Sequence, residues 1–390
     1  MNNTNDNSMD RGQVILSAVV LSAIGALFYN LLPMFLGVAQ DYRELDNRSI
    51  GLLSSMFFAG YTLTTSSAFF WIRRINWRVV TIIALFLGCV ALLWAGYTQN
   101  HAVLMLCIFI AGCAFSTVYG IGTTALSDTS NPARWYGLKI SAEALLGAIL
   151  LFVLPGTLIS SHGFMGLMSG MVLAVLLLLP ALSWLPKAGT PQREQAAGGT
   201  QIPLRLRLAV WLGLLAVTIF IFSATMIWAF VERMASTAGF DAVLVGKILS
   251  LTLVFAVVGS LAAVVMGDRF GSGKPFAAAT VIFLLALAWL SGDLAVTSYA
   301  IGACLLTLAI GLGITYVITI VADLDTDGRY VVLTVPAIGI GVMAAPVIGG
   351  LLTANQDFSK IFMVGTATIL LSLVSGLIAL SWGLPRTRND

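Results

Sequence analysis

A charged turn between two apolar segments has the sequence GSLAAVVMGDRFGSGKP, residues 259–275. Its Gly267, Gly273 and Lys274 suggest a phosphate-binding loop, in which Gly-x-x-x-x-Gly-Lys-Ser/Thr joins a strand to a helix. Here the two glycines stand one residue too far apart, and Pro275 follows the lysine. Because apolar segments of membrane-spanning length flank the turn, the sequence favours a connection between two membrane helices over a nucleotide site.

The composition indicates a polytopic membrane protein. Hydrophobic residues make up 59% of the 390 residues, charged residues 9%, and the mean hydropathy is +0.97. A soluble domain carries about 25% charged residues, so this chain cannot cover a water-facing surface and must lie in a lipid bilayer. The net charge of +3 indicates no nucleic-acid partner, and the four cysteines and two histidines lack the spacing of metal ligands. We expect a monomer without metal, catalytic residues or cofactor, apart from protons as a coupling ion.

Windows of about 20 apolar residues, the length that crosses a bilayer, predict twelve helices. They lie near residues 13–38, 50–71, 78–98, 102–126, 136–159, 163–185, 208–231, 245–266, 275–292, 296–322, 330–353 and 361–382. The predicted organisation is a cytoplasmic tail (1–12), a first six-helix bundle (13–185), a cytoplasmic linker (186–207), a second six-helix bundle (208–382) and a cytoplasmic tail (383–390).

The distribution of positive charge predicts the orientation. Of the 20 lysines and arginines, fifteen lie in the tails and loops that face the cytoplasm if the N-terminus is inside, and five lie on the other side. Cytoplasmic loops carry an excess of Lys and Arg. We therefore expect a multi-pass protein of the cytoplasmic (inner) membrane with both termini in the cytoplasm.

The two halves repeat each other at an offset of 195 residues. SDTSNPARWYGL (127–138) matches ADLDTDGRYVVL (322–333), which aligns Asp128 with Asp323 and Arg134 with Arg329. Arg74 aligns with Arg269 at the same offset. Several matches at one offset indicate an internal repeat of two six-helix halves.

The opening turn resembles the cytoplasmic loop motif of the major facilitator superfamily, Gly-x-x-x-Asp-Arg-x-Gly-Arg/Lys. That motif joins spans two and three, and a weaker copy joins spans eight and nine, where Asp268, Arg269 and Lys274 lie here. The first-half copy, FFWIRRINWR (69–78), has Arg73 in place of Asp268, so we expect Arg73 to lack an acidic partner. The resemblance implies an all-α fold of two pseudo-symmetric six-helix bundles and transport by alternating access.

The charges at the cytoplasmic helix ends form a candidate cytoplasmic gate. Such charges form pairs that separate when a transporter changes state and so bias a two-state equilibrium. The alternative is that they only anchor the loops on the cytoplasmic side. The candidate residues are Arg74, Asp128, Arg134, Asp268, Arg269, Asp323 and Arg329.

Glu143, in the predicted fifth span, is the candidate coupling residue. An ionisable group at this depth faces a cavity or a partner. Glu143 either binds a proton or cation in a central cavity, or pairs with Lys139 one helical turn away near the membrane edge. No lysine or arginine is expected at mid-depth, so a polyanionic substrate such as a sugar phosphate lacks a counter-charge.

Polar and aromatic residues of the predicted spans form a candidate substrate cavity. The resemblance places spans one, four, seven and ten along the transport pathway, although each hydroxyl alone is equally explained by helix packing. The candidate residues are Tyr29, Asn30, Tyr61, Tyr119, Thr123, Thr124, Thr225, Trp228, Tyr316 and Thr319.

We therefore expect a secondary transporter of a small neutral, weakly polar or cationic organic solute, coupled to protons. An apolar lining favours efflux by an antiporter over uptake by a symporter. The segment GVMAAPVIGG (341–350) resembles a helix of drug–proton antiporters, but it lies in span eleven rather than span five. A non-transporting membrane sensor or assembly protein on the same fold, and an integral membrane enzyme, are the alternatives from other classes.

Overall fold

The structure is a computed structural model that describes residues 8–189, 203–267, 269–292, 294–325, 330–353 and 357–383. The described residues form helices joined by short connections and contain no strand. The α-helices before residue 190 are α1 (Gly12–Asn30), α2 (Leu32–Arg43), α3 (Asn47–Trp71), α4 (Trp77–Tyr97), α5 (His101–Ser127), α6 (Pro132–Val153) and α7 (Ser160–Leu178). Those after residue 202 are α8 (Leu204–Thr237), α9 (Ala242–Met266), α10 (Gly273–Leu290), α11 (Val296–Leu324), α12 (Thr334–Leu352) and α13 (Ser359–Gly383).

These helices confirm the twelve predicted spans. Ten helical segments of the described chain are long and apolar enough to cross a membrane. One of them, Arg134–Trp184, is 51 residues long and contains the fifth and sixth spans. The remaining span, second along the chain, is the 25-residue helix α3, which is more polar than the others. The protein is therefore an all-α, multi-pass membrane protein.

The first span is broken into two helices. The predicted segment 13–38 corresponds to α1 and α2, and Leu31 between them has φ −90° and ψ 1°. Pro33 occupies the first turn of α2, where its missing N–H and fixed φ are tolerated. The same residue cannot continue the hydrogen-bond ladder of α1. The break places Asn30 at the end of α1.

The fifth and sixth spans are joined by a helical bend without an extended loop. A π-helical turn (Pro155–Ile159) leads directly into α7. Gly163 has φ +55°, and a Cβ atom there would lie 2.4 Å from the ring of Tyr42. Only glycine adopts this conformation at little cost, so Gly163 allows the chain to turn back directly after the short polar stretch Ser160–His162.

The chain divides into two compact units. The first contains Met1–Leu45, Leu52–Arg193 and Ala242–Ser250, and the second contains Asp46–Gly51, Glu194–Asp241 and Leu251–Asp390. In the first unit, α1 packs against α5 and α6, and α4 packs against α5 and α7. In the second unit, α8 packs against α11, α12 and α13, and α10 packs against α11 and α13.

One interhelical contact occurs in both units at the offset found in the sequence. The hydroxyl groups of Thr65 and Ser116 are hydrogen-bonded to each other. Ser260, 195 residues after Thr65, donates a hydrogen bond of 3.3 Å to the carbonyl of Gly311, 195 residues after Ser116. The repeat therefore extends from the sequence to the packing of equivalent helices.

Candidate functional site

Helix α6 places a lysine and a glutamate on one face. Lys139 and Glu143 are one turn apart, and the Lys139 Nζ–Glu143 Oε1 distance is 2.7 Å. Their side chains are only 6% and 14% exposed. Glu143 lies about 16 Å along the axis from the start of α6 at a rise of about 1.5 Å per residue, within the apolar segment Arg134–Trp184 that is long enough to cross a membrane. The pair is therefore an ion pair inside the membrane-spanning part of the first unit.

Two other helices complete the environment of this pair. The Tyr119 hydroxyl, on α5, is 2.7 Å from Lys139 Nζ, and the ammonium also lies 4.1 Å from the centroid of the Tyr119 ring. Asn30, at the end of α1, donates a hydrogen bond of 2.8 Å from Nδ2 to the main-chain carbonyl of Glu143. We call Asn30, Tyr119, Lys139 and Glu143 the Lys139 cluster.

Aromatic side chains extend from the Lys139 cluster. The ring centroids of Tyr61 and Tyr119 are 5.9 Å apart, and Tyr29 contacts Phe58 edge-on at 6.2 Å. Tyr29, Tyr61 and Tyr119 are all half-buried, whereas Phe58 lies in the core. Half-buried phenols beside a buried ion pair give a surface with both apolar area and hydrogen-bonding groups, as small-molecule sites require.

The Lys139–Glu143 pair is one of the two arrangements that the sequence left open. The other was a Glu143 carboxylate that faces a central cavity. The structure shows the pair, with Lys139 only 5% exposed and in contact with the candidate cavity residue Tyr119. A buried lysine therefore contacts a candidate cavity residue, while the coupling role of Glu143 stays a prediction.

The two charges of the pair depend on each other. At 2.7 Å and an effective dielectric constant of about 20, two unit charges attract by about 6 kcal/mol before desolvation is counted. Removing one partner of a buried pair costs about 3–5 kcal/mol, because the other charge stays buried without compensation. The cluster is therefore stable with both charges or with neither. Neutralising one charge leaves the other buried without a counter-charge.

The remaining candidate cavity residues of the first unit lie on α5. The carbonyl of Thr123 accepts a hydrogen bond of 3.3 Å from the Tyr136 hydroxyl. The Thr123 hydroxyl is buried without a hydrogen-bond partner in the described chain. The carbonyl of Thr124 accepts from the Asp128 N–H at 3.2 Å. Both threonines are half-buried, and their contact with a solute stays a prediction.

The candidate cavity residues of the second unit do not form a comparable cluster in the described contacts. Tyr316 is buried and donates hydrogen bonds to the carbonyls of Ala263 (3.3 Å) and Gly267 (3.0 Å) at the end of α9. Thr319 bonds back to the Thr315 carbonyl within α11.

Thr225 and Trp228, on α8, are 0% and 2% exposed. Together with the contacts of Tyr316 and Thr319, this burial favours helix packing for the second-unit candidates, and their role in a cavity stays a prediction.

The candidate gate contains an ion pair that the sequence analysis missed. Arg73 donates two hydrogen bonds to the Asp128 carboxylate, from Nη2 to Oδ1 at 2.9 Å and from Nη1 to Oδ2 at 3.1 Å. The Asp128 side chain is 4% exposed and that of Arg73 is 27% exposed. The expectation that Arg73 lacks an acidic partner is therefore wrong. The partner comes from the end of α5, 55 residues further along the chain.

The other candidate gate residues differ in their surroundings. Arg74, Arg134, Arg269 and Asp323 are exposed, and Arg134 lies over the ring of its neighbour Trp135 at 4.7 Å. Two further candidates, Asp268 and Arg329, lie outside the described residues. A role in gating stays a prediction for all of them.

Two other segments reach the end of α5 near Asp128. The carbonyl of Lys187 accepts a hydrogen bond of 2.8 Å from the Trp77 N–H, and Gly189 passes close to both Trp77 and the Asp128 carboxylate. The Asp10 side chain accepts a hydrogen bond of 2.8 Å from the Ser130 N–H. The start of the predicted linker and the N-terminal 3-10 turn Ser8–Asp10 are thus attached to the same end of the first unit.

Twelve spans in two units, with a buried ion pair inside the first, define a polytopic membrane transporter as the class of protein. The family model of the Major Facilitator Superfamily matches residues 14–322. The chain therefore belongs to the major facilitator superfamily.

Solved structures show the same fold. A bacterial homolog of the human lysosomal transporter Spinster is 13% identical with a TM-score of 0.66, and the match covers 96% of this chain and 98% of that one. Its occupied form gives 13% identity and a TM-score of 0.68, with coverage of 96% and 97%. The nucleoside transporter NupG is 12% identical with a TM-score of 0.66, with coverage of 95% and 98%. No curated protein matches the sequence.

Proposed function

We propose that this transporter is a proton-coupled secondary transporter of a small organic solute and that the Lys139 cluster is its coupling site. One observation carries the proposal: an ion pair lies inside the membrane-spanning helices of the first unit, with its side chains 6% and 14% exposed. Ionisable residues at this depth are costly and mark ion pathways or proton relays.

The geometry supports coupling through Glu143. A proton that binds to the carboxylate removes the counter-charge of Lys139, whose ammonium lies 2.7 Å away. Because Asn30 and Tyr119 connect the pair to α1 and α5, this change alters contacts between three helices. A proton that has different affinities in two conformations shifts the population between them.

The proposal includes the direction of transport and the membrane in which the protein lies. The location in the cytoplasmic membrane with both termini inside is supported by the excess of Lys and Arg in the loops predicted to face the cytoplasm. The apolar lining expected from the sequence favours efflux by antiport, and uptake by symport is the alternative if solute and proton bind together.

The test compares Glu143→Gln with Glu44→Gln in proteoliposomes. Glu44 is an exposed carboxylate outside the cluster, so it controls for the same chemical change. A thermal-shift screen of the purified full-length chain first identifies a solute that binds. We expect Glu143→Gln to keep solute counterflow but to lose flux driven by a pH gradient, while Glu44→Gln keeps both. Full gradient-driven flux in Glu143→Gln would overturn the proposal.

A further inference from the structure

We infer that the solute bound at the Lys139 cluster is a small organic monoanion, which takes the place of the Glu143 carboxylate as the counter-charge of Lys139 when Glu143 binds a proton. The inference rests on the proposed coupling role of Glu143 and adds the class of solute to it.

The ammonium of Lys139 has the features of an anion-binding group. It is buried, it pairs with the Glu143 carboxylate at 2.7 Å, and it donates a hydrogen bond of 2.7 Å to the Tyr119 hydroxyl. An ammonium has three N–H donors, so at least one remains for a solute after these two contacts. Charge-assisted hydrogen bonds of this kind are shorter and stronger than neutral ones.

The surroundings of Glu143 offer no other full positive charge among the described contacts. Lys139 lies on the same helix, Tyr119 on α5 and Tyr61 on α3 add phenol groups, and Asn30 on α1 adds an amide. All of these except Lys139 are uncharged near neutral pH. Protonation of Glu143 therefore leaves one uncompensated positive charge, on Lys139.

The exchange is balanced in atoms and charge. The Glu143 carboxylate takes up one proton and becomes a neutral carboxyl group, and its ionic contact with the ammonium ends. The carboxylate of the solute then pairs with the same ammonium. The cluster has no net charge before the exchange and none after it, so one proton and one monoanion bind together. Such joint binding is symport, so for a monoanion an inward proton gradient drives uptake rather than efflux.

A cationic or neutral solute fits this arrangement less well. A cation would enter beside the ammonium of Lys139, and a neutral solute would leave that charge uncompensated after Glu143 is protonated. A buried charge without a partner is strongly unfavourable. By linkage, the proton must raise the affinity for the anion by the same factor as the anion raises the affinity for the proton.

The experiment measures binding to the full-length chain in nanodiscs by calorimetry. The probes are benzoate, benzamide and benzylamine, which share a ring and differ in charge, and the matching set of butyrate, butyramide and butylamine. We expect at least one anion to bind, with an affinity that rises by up to about tenfold for each unit of pH decrease. The amides and amines should bind more weakly, without that dependence.

Variants distinguish the contributions of Lys139 and Glu143 to anion binding. Glu143→Gln imitates the protonated carboxyl, so its affinity for the anion at neutral pH should match that of the wild type at low pH and should no longer vary with pH. The control Glu44→Gln should keep the dependence of the wild type. The double variant Lys139→Met/Glu143→Gln removes both charges, which avoids an unpaired buried group, and should bind no anion.

Three results would overturn the inference: no binding of either anion at low pH, tighter binding of the amides or amines, or an unchanged pH dependence in Glu143→Gln. The proposed function is tested separately, by the flux measurement. If the flux of an amide or amine follows the pH gradient and requires Glu143, coupling stands and the anion is excluded. If no flux follows the gradient, coupling fails, and the calorimetry still decides whether Lys139 binds anions.

Discussion

Replacement of Gly25 by alanine should disrupt the Lys139 cluster without changing any of its members. Gly25 lies on α1 where that helix crosses α5. A Cβ atom there would lie 2.5 Å from Cβ of Tyr119, 2.8 Å from Cα of Tyr119 and 2.9 Å from the carbonyl oxygen of Phe115. Two of these three atoms belong to the backbone, so a change of rotamer cannot relieve the contact.

The size of the effect follows from these distances. Carbon atoms in contact are about 3.5–4.0 Å apart, so α1 and α5 must separate locally by about 1 Å. If α5 moves, the 2.7 Å contact between Tyr119 and Lys139 lengthens beyond the range of a hydrogen bond. If α1 moves, the 2.8 Å bond from Asn30 to Glu143 lengthens instead. Overpacking costs about 1–3 kcal/mol. Loss of the hydrogen bond to the Lys139 ammonium costs about 1.5–3 kcal/mol more, and loss of the neutral bond from Asn30 about 0.5–1.5 kcal/mol more.

The assay combines the thermal unfolding midpoint of the purified protein with flux driven by a pH gradient. Gly25→Ala should lower both. Gly137→Ala on α6 is the matched control, because a Cβ atom there meets nothing within 4 Å, and alanine favours a helix over glycine. An unfolding midpoint and flux of Gly25→Ala equal to those of the wild type would refute the reasoning from packing.

Two further predictions concern the ends of helices. Arg73→Ala should lower the free energy of unfolding in an SDS titration by about 3 kcal/mol, and Asp128→Asn by less. Arg73→Ala leaves the Asp128 carboxylate, which is 4% exposed, buried without the guanidinium. Asp128→Asn leaves the Arg73 guanidinium, which is 27% exposed and can turn to water. Equal losses would contradict this asymmetry. Asp46 accepts a hydrogen bond of 2.8 Å from the Ser49 N–H at the start of α3, and hydrogen bonds from the Ser49 side chain and main chain hold the pKa of Asp46 below its ordinary value of 3.8. Because the folded-state pKa is lowered, its ionised form stabilises the fold above the unfolded-state pKa, and this contribution is lost as the pH falls through the folded-state pKa. Asp46→Ala should therefore cost about 0.5–2 kcal/mol at neutral pH and less in acid, while Asp46→Asn keeps the cap and loses the pH dependence. A cost for Asp46→Ala that does not change between neutral and acidic pH would contradict the assignment.

Properties carried by neighbouring residues could be predicted from the sequence. Hydropathy located the twelve spans because a bilayer requires a fixed length of apolar helix. The 195-residue offset predicted two equivalent halves, and the hydrogen bonds at Thr65–Ser116 and Ser260–Gly311 occur at that offset. The spacing of Lys139 and Glu143 allowed an ion pair, because residues four apart share one face of a helix.

Only the tertiary structure decided which groups surround that pair and which charge Arg73 meets. Tyr119 and Asn30 reach Lys139 and Glu143 from α5 and α1, 20 and 113 residues away along the chain. Asp128 reaches Arg73 across 55 residues. Contacts between residues so far apart in the chain depend on how the helices pack. A helix shifted by one turn moves every side chain by about 5.4 Å. The sequence thus determined the helices and their repeat, whereas the packing placed a lysine beside the candidate cavity and an aspartate beside Arg73.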